Sequence, residues 1–304
     1  EMCIRDRPGR SDVQGELVRV WTEDGLQLQG LYCAPDRGTE LPAVLHIHGA
    51  SSNFYRSQFL GPLGEALNAR GHSFLTANTR GHDIMNSVYT RDPAAGKHLG
   101  VAFEQFEECL LDISAWLGFL EERGRQRAVL LGHSFGAHKA AFYQSETGDQ
   151  RVQGLVFMSP ADQGYWAQAL GAQMTETLEW ARERVAEGEA RALLQGRLAP
   201  YPMSAGTIHS MFVAARSDIF KFGRPEEPWE VVSSLSCPIL ATMGTVAEHI
   251  APSPREALAT LQRKATSSPR CDTLVVEGAP HNYRGYEEEI SSAILGWLTD
   301  VCAI

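Results

Sequence analysis

The segment best suited to chemistry is Gly132-His133-Ser134-Phe135-Gly136, a serine with glycines two positions away on either side. Apolar residues 128–131 precede it, and Ala137, Ala140 and Ala141 follow at helical spacing. That context predicts a strand, a sharp turn and a helix. In such a turn the hydroxyl stands clear of the backbone, while larger side chains at the glycine positions would collide. A serine hydroxyl attacks only when a base takes its proton and another group orients the base. His281, in Gly278-Ala279-Pro280-His281-Asn282, follows the last apolar strand. A loop leaving the carboxyl edge of a sheet there would reach Ser134. The bland alternatives are a glycine-rich turn and an ordinary core or surface imidazole.

A second segment, His46-Ile47-His48-Gly49-Ala50, closes another apolar strand. The backbone N–H of Ala50, together with that of Phe135, could hold an oxyanion beside Ser134. The rival reading is a metal site, since His46 and His48 would share one face of a strand. A catalytic metal needs a third ligand, and no carboxylate or histidine stands nearby in a recognised pattern. No metal or organic cofactor is expected.

The elements that must position these residues read as follows. Residues 16–21 and 27–33 alternate around Asp24-Gly25 and predict an antiparallel hairpin. Strands are predicted at 43–47, 73–78, 128–131, 152–158, 239–243 and 273–276, with helices at 59–70, 103–122, 137–145 and 286–298. Strand–helix alternation implies an α/β fold with a mostly parallel, doubly wound sheet and an antiparallel edge from the hairpin. The alternation breaks at residues 161–236, which show helical patterns and no convincing strand. An insertion of that length between sheet strands reads as a helical cap over the binding edge. Residues 16–160 and 237–304 would form the core domain. Residues 1–15 read as a non-native or disordered start, because 1–7 resemble the assembly artefacts of metagenomic translations.

Across 304 residues, 43% are hydrophobic and 21% charged, which excludes a disordered chain. The net charge of −10 argues against nucleic acid or an anionic membrane as partner. No apolar run is long enough to span a bilayer. The six cysteines form no C-x-x-C pair, so a thiol-containing cytoplasmic protein is the default expectation.

On the segments His46 to Asn53, Asn78-Thr79-Arg80-Gly81-His82-Asp83, 132–136, Ser159-Pro160-Ala161-Asp162 and 277–288, the chain resembles the α/β-hydrolase superfamily. Within it the chain is similar to bacterial and plant hydrolases related to siderophore-ester hydrolases. The resemblance spans about residues 16–298. It implies the α/β-hydrolase fold, Ser134 as nucleophile, His281 as base and an ester or similar acyl bond as substrate. Arg80, His82 and Asp83 read as a satisfied polar cluster beside the site.

One position departs from the family pattern. Where an Asp is expected after strand 239–243, the chain reads Gly244-Thr245-Val246-Ala247-Glu248. Alanine cannot orient an imidazole. Three explanations stay open: Glu248 replaces it, Asp162 supplies the acid from the neighbouring strand end, or turnover is lost.

The insertion carries Trp166, Tyr201, Met203, Met211, Phe212 and Trp229, among other large apolar residues. Most would form its own core, with Trp166 and Met203 facing a substrate. The expected activity is hydrolysis of a carboxylic ester through a covalent acyl-enzyme. The alternatives are an amide, carbamate or carbon–carbon bond hydrolase, or a ligand-binding protein without turnover. The expected partners are a small apolar or aromatic ester and a second copy in a homodimer.

Overall fold

Residues 15–35, 40–92, 96–196, 198–248 and 250–302 are described by a computed structural model of the chain. The sequence reading of residues 1–15 falls, apart from Gly15, outside them.

The chain opens with β1 (Glu16–Trp21) and β2 (Gln27–Cys33), paired antiparallel with Glu16 opposite Tyr32 and Trp21 opposite Gln27. Gly25 takes φ 80° in the connecting turn, where a side chain would be strained. There follow β3 (Ala43–Ile47), α1 (Leu60–Ala69) and β4 (Phe74–Ala77). A short ribbon of β5 (Asn86–Val88) and β6 (Lys97–Leu99) precedes a 3₁₀ turn, Phe106–Glu108, which runs into α2 (Cys109–Glu122). Then come β7 (Ala128–His133), α3 (Phe135–Thr147) and β8 (Val152–Met158).

Between β8 and the next strand lie α4 (Gln163–Ala169), α5 (Ala172–Ala186), α6 (Ala205–Ile208), a π-turn at His209–Val213 and α7 (Glu230–Ser234). The chain finishes with β9 (Ile239–Val246), α8 (Pro254–Lys264), β10 (Cys271–Pro280) and α9 (Glu287–Cys302).

Eight strands form one sheet in the order β1-β2-β4-β3-β7-β8-β9-β10. Pairing is antiparallel from β1 to β4 and parallel from β4 to β10. The hairpin therefore supplies the antiparallel edge, as the sequence predicts. The inner strands are buried on both faces, which explains their continuous apolar runs.

Alternation sorts the side chains into two layers. Leu45, Leu130 and Leu155 face a cluster with Trp116 and Leu117 of α2 and Phe142 of α3. Val44, Val129 and Val156 face the other way, onto Leu63 and Leu67 of α1 and Ile294 and Trp297 of α9. Two helical layers thus cover the sheet. This is an α/β-hydrolase fold.

Several expectations are corrected in detail. The helix predicted over 103–122 starts as the 3₁₀ turn at Phe106, and α3 begins directly after Ser134 rather than at Ala137. The ribbon β5–β6 and the helix α8 add to the elements the sequence predicts. Among the described residues, no named strand lies between β8 and β9, only an isolated bridge of Leu193 with Ser204.

Candidate active site

Ser134 sits between the last residue of β7 and the first of α3, at φ 55° and ψ −121°. A non-glycine residue there is strained, and the surrounding structure holds it. The Ser134 N–H donates to the Met158 carbonyl at 2.8 Å, tying the turn to β8. A Cβ on Gly136 would overlap the carbonyl of Ile47, and one on Gly132 would overlap the carbonyl of Gly136. Both glycines therefore answer to backbone packed against them.

The β3 loop passes close by. A Cβ on Gly49 would lie 3.0 Å from Ser134 Cβ and 3.2 Å from the His133 carbonyl. The next residue, Ala50, lines a cavity together with Ser134, Phe135 and His281. Among the described residues, the N–H groups of Ala50 and Phe135 donate to no internal acceptor.

His48 anchors that loop. Its Nδ1 lies 2.8 Å from the Gly49 carbonyl, and its Nε2 accepts from the Thr79 N–H at 3.0 Å. Burial holds its pKa well below the ordinary histidine value. Thr79 Oγ1 in turn accepts from Lys139 Nζ at 2.9 Å, and Lys139 pairs with Glu104 in the interior. Both His48 nitrogens are thus occupied, and His46 Nδ1 lies 2.9 Å from Thr76 Oγ1. No group of three or more His, Cys, Asp or Glu among the described residues is placed to hold a metal ion.

His281 follows β10 and lines the same cavity as Ser134. Its Nδ1 lies 2.7 Å from Glu248 Oε2. Glu248 Oε1 accepts from Ser159 Oγ at 2.7 Å and from the Gly244 N–H at 2.9 Å. The Glu248 side chain is 3% exposed and that of His281 20%, so the carboxylate is sealed behind the imidazole. Tyr283 Oη lies 3.1 Å from Ser159 Oγ and 2.8 Å from Thr242 Oγ1. The His281 carbonyl lies 2.9 Å from His133 Nε2, a ring whose pKa burial pushes down to about 4.

The open question about the acid meets a clear geometry. Asp162 also lines the cavity, but its carboxylate is engaged away from His281: it accepts from the Tyr165 N–H at 2.9 Å, capping α4, and from the Gly223 N–H at 2.8 Å. Both oxygens are thus committed to anchoring the segment after β8. That corrects its candidacy as the group that orients His281. Ala247 is exposed and takes φ 57°.

Arg80 bonds Asp112 at 2.9 Å and Asp24 and Glu108 at 3.0 Å, His82 Nδ1 lies 2.9 Å from the Thr79 carbonyl, and Asp83 accepts from Asn53 at 2.8 Å. These three side chains are a polar cluster satisfied within the protein.

The cavity at Ser134 has a volume of about 260 Å³. Trp166 and Met203 line it, and so do Tyr201, Met211 and Phe212. By contrast Phe220 stacks on Phe222, which meets Trp229 edge-on, inside the core. A second cavity of about 400 Å³ shares Ala50, Ser134 and His281 with the first.

Ser159, Tyr283 and His133 escaped the sequence reading. Ser159 carried a weak signal, because it ends β8 beside the end of β9, where an acid was expected.

A hydroxyl, an imidazole on a buried carboxylate and two unengaged N–H groups around one cavity are the parts that acyl transfer requires.

No curated protein matches the sequence. Solved structures share its fold at low identity. Est1E from Butyrivibrio proteoclasticus with bound ferulic acid is 17% identical, with a TM-score of 0.64 over 94% of this chain and 100% of that one. The Pyrococcus furiosus esterase Pf2001 is 19% identical, with a TM-score of 0.61 over 97% and 94%. A soluble variant of the Saccharomyces cerevisiae monoglyceride lipase is 14% identical, with a TM-score of 0.66 over 98% and 99%. A model of the alpha/beta hydrolase family matches residues 44–290, well over half of the sequence, and the chain belongs to that family.

Proposed function

We propose that the protein is a serine hydrolase that cleaves carboxylic esters with an apolar or aromatic part. Ser134 Oγ attacks the ester carbonyl as its proton passes to His281 Nε2. The carbonyl oxygen becomes an oxyanion held by the N–H groups of Ala50 and Phe135. The C–O bond to the alcohol breaks, His281 returns the proton to it, and an acyl-enzyme remains. Water then repeats the sequence and releases the acid. Glu248 keeps Nδ1 protonated and stabilises the imidazolium.

The reading rests on one observation: Glu248 Oε2 lies 2.7 Å from the Nδ1 of an imidazole that shares its cavity with Ser134. The binder without turnover draws on Ala247, and the carboxylate 2.7 Å from His281 Nδ1 supports turnover instead.

Residues 161–236 act as the cap, with Trp166 and Met203 against the substrate's apolar part. The ester preference draws on the neighbours: one holds ferulic acid, one is an esterase and one a monoglyceride lipase.

A fluorophosphonate probe tests the reading. It should label wild-type protein once per chain, at Ser134, and leave Ser134→Ala unlabelled. Wild-type protein should hydrolyse aryl and short-chain esters. Folded protein that neither labels nor hydrolyses any ester of such a panel refutes it.

A further inference from the structure

The two cavities that meet at Ser134 differ in chemistry. The first is walled by Trp166, Met203, Met211 and Phe212. The second is walled by Ser51, Ser52, Arg56, Gln58, Asn282 and Arg284, with no Asp or Glu in its lining. Among the described residues, neither guanidinium takes part in an ion pair. Arg56 Nη1 donates to the Ser51 carbonyl at 3.1 Å, and its other donors remain for a ligand. In contrast, Arg80, Arg151 and Arg224 are each held by carboxylates. The whole chain carries a net charge of −10, so its general field repels anions. Two uncompensated guanidinium groups beside the candidate nucleophile oppose that field locally. Planar N–H forks match a carboxylate better than any neutral group.

We propose that the second cavity binds a carboxylate carried by the substrate. The preferred ester is then bipartite, with an apolar or aromatic part under the cap and an anionic part against Arg56 and Arg284. The inference rests on the hydrolase reading for the word substrate, while the anion site itself can be tested without turnover.

The test uses calorimetric titration of the full-length Ser134→Ala protein. Monobenzyl succinate carries its carboxylate on the acyl side of the ester. Carboxymethyl phenylacetate carries it on the alcohol side. Each is compared with its neutral methyl ester. In at least one arm the carboxylate should bind about tenfold or more tighter than its neutral partner, since a charge-assisted hydrogen bond is stronger than a neutral one. The arm that shows it identifies which half of the ester enters the second cavity. Arg56→Gln with Arg284→Gln in the same protein should abolish the advantage, and high salt should reduce it, because the site is open to solvent.

Equal binding of anion and neutral ester in both arms, no binding of either, or an advantage that survives the double substitution overturns the proposal. Turnover of the neutral esters by wild-type protein is measured separately. Anion selectivity without any ester cleavage would leave the site standing and remove the hydrolase reading. Cleavage without selectivity would do the reverse.

Discussion

Glu248 engages three donors at once, and that is what makes it rigid enough to set the imidazole. One oxygen faces His281 Nδ1, while the other accepts from Ser159 and from the Gly244 backbone. Glu248→Gln keeps the shape but can present an N–H to Nδ1, which favours the wrong tautomer. It should lower kcat about 10⁴-fold with KM little changed, the loss typical of removing an orienting carboxylate. Asp162→Asn should change kcat less than tenfold, because its carboxylate serves Tyr165 and Gly223. On the proposed mechanism Ala247→Asp should bring no gain, because Glu248 already faces His281 Nδ1. Steady-state kinetics on one aryl ester reads all three, and wild-type turnover in Glu248→Gln would sink the assignment. The sequence made Ser134 and His281 legible because each has a fixed relation to a strand end. It left the acid open for a backbone reason. The chain takes φ 57° at Ala247, so residue 248 turns inward and residue 247 outward. A positive φ at alanine has no sequence signature, unlike one at glycine.

The strands buried on both faces were readable because burial demands continuous apolar runs, as in β3, β7 and β8. The pair β5–β6 has only three residues in each strand, too few to show a period. The helix α8 has a weak apolar pattern, because Ala257, Leu258 and Leu261 are few among charged neighbours. Its start was nonetheless written in Ser253-Pro254-Arg255-Glu256. Ser253 Oγ accepts from the Glu256 N–H at 3.3 Å and donates to Glu256 Oε2 at 2.7 Å, with Pro254 in the first turn. That cap fixes the start of the helix that crosses from β9 to β10, directly after the loop that carries Glu248. Ser253→Ala should destabilise the protein by about 1 kcal/mol, the usual loss for a serine cap. Urea unfolding measures it, and an unchanged midpoint would show that α8 is held by packing alone.

Across the whole molecule, imidazoles are buried where the sheet meets its covering layers. His46 packs against Phe59 on the α1 side of the sheet. His138 in α3 lies 2.8 Å from the Ser217 carbonyl and packs against Phe220. His133 tethers the main chain of His281. Burial pushes the pKa of His46 down to about 3 and those of His133 and His138 to about 4. All three are neutral in the folded protein at neutral pH, whereas in the unfolded chain they titrate near 6.5. The sign follows from proton binding. Their neutral burial carries no protonation penalty above about pH 6.5. As pH falls below that, the unfolded chain takes up protons that the folded one refuses, and stability is lost until the folded pKa is reached. At pH 5 each group costs about 2 kcal/mol, so three together approach the whole stability of an ordinary domain. The midpoint for urea unfolding should therefore be flat from pH 8 to 7 and fall steeply between pH 6.5 and 5. On the proposed function, ester hydrolysis lost over that range should return when the protein is brought back to pH 7 before it aggregates. His138→Phe removes one of these protons and should flatten the fall in part, since His48, also held well below the ordinary histidine value by burial, adds to it. A midpoint unchanged down to pH 5 would mean that the folded protein accepts those protons, and that these imidazoles are less confined than their surroundings require.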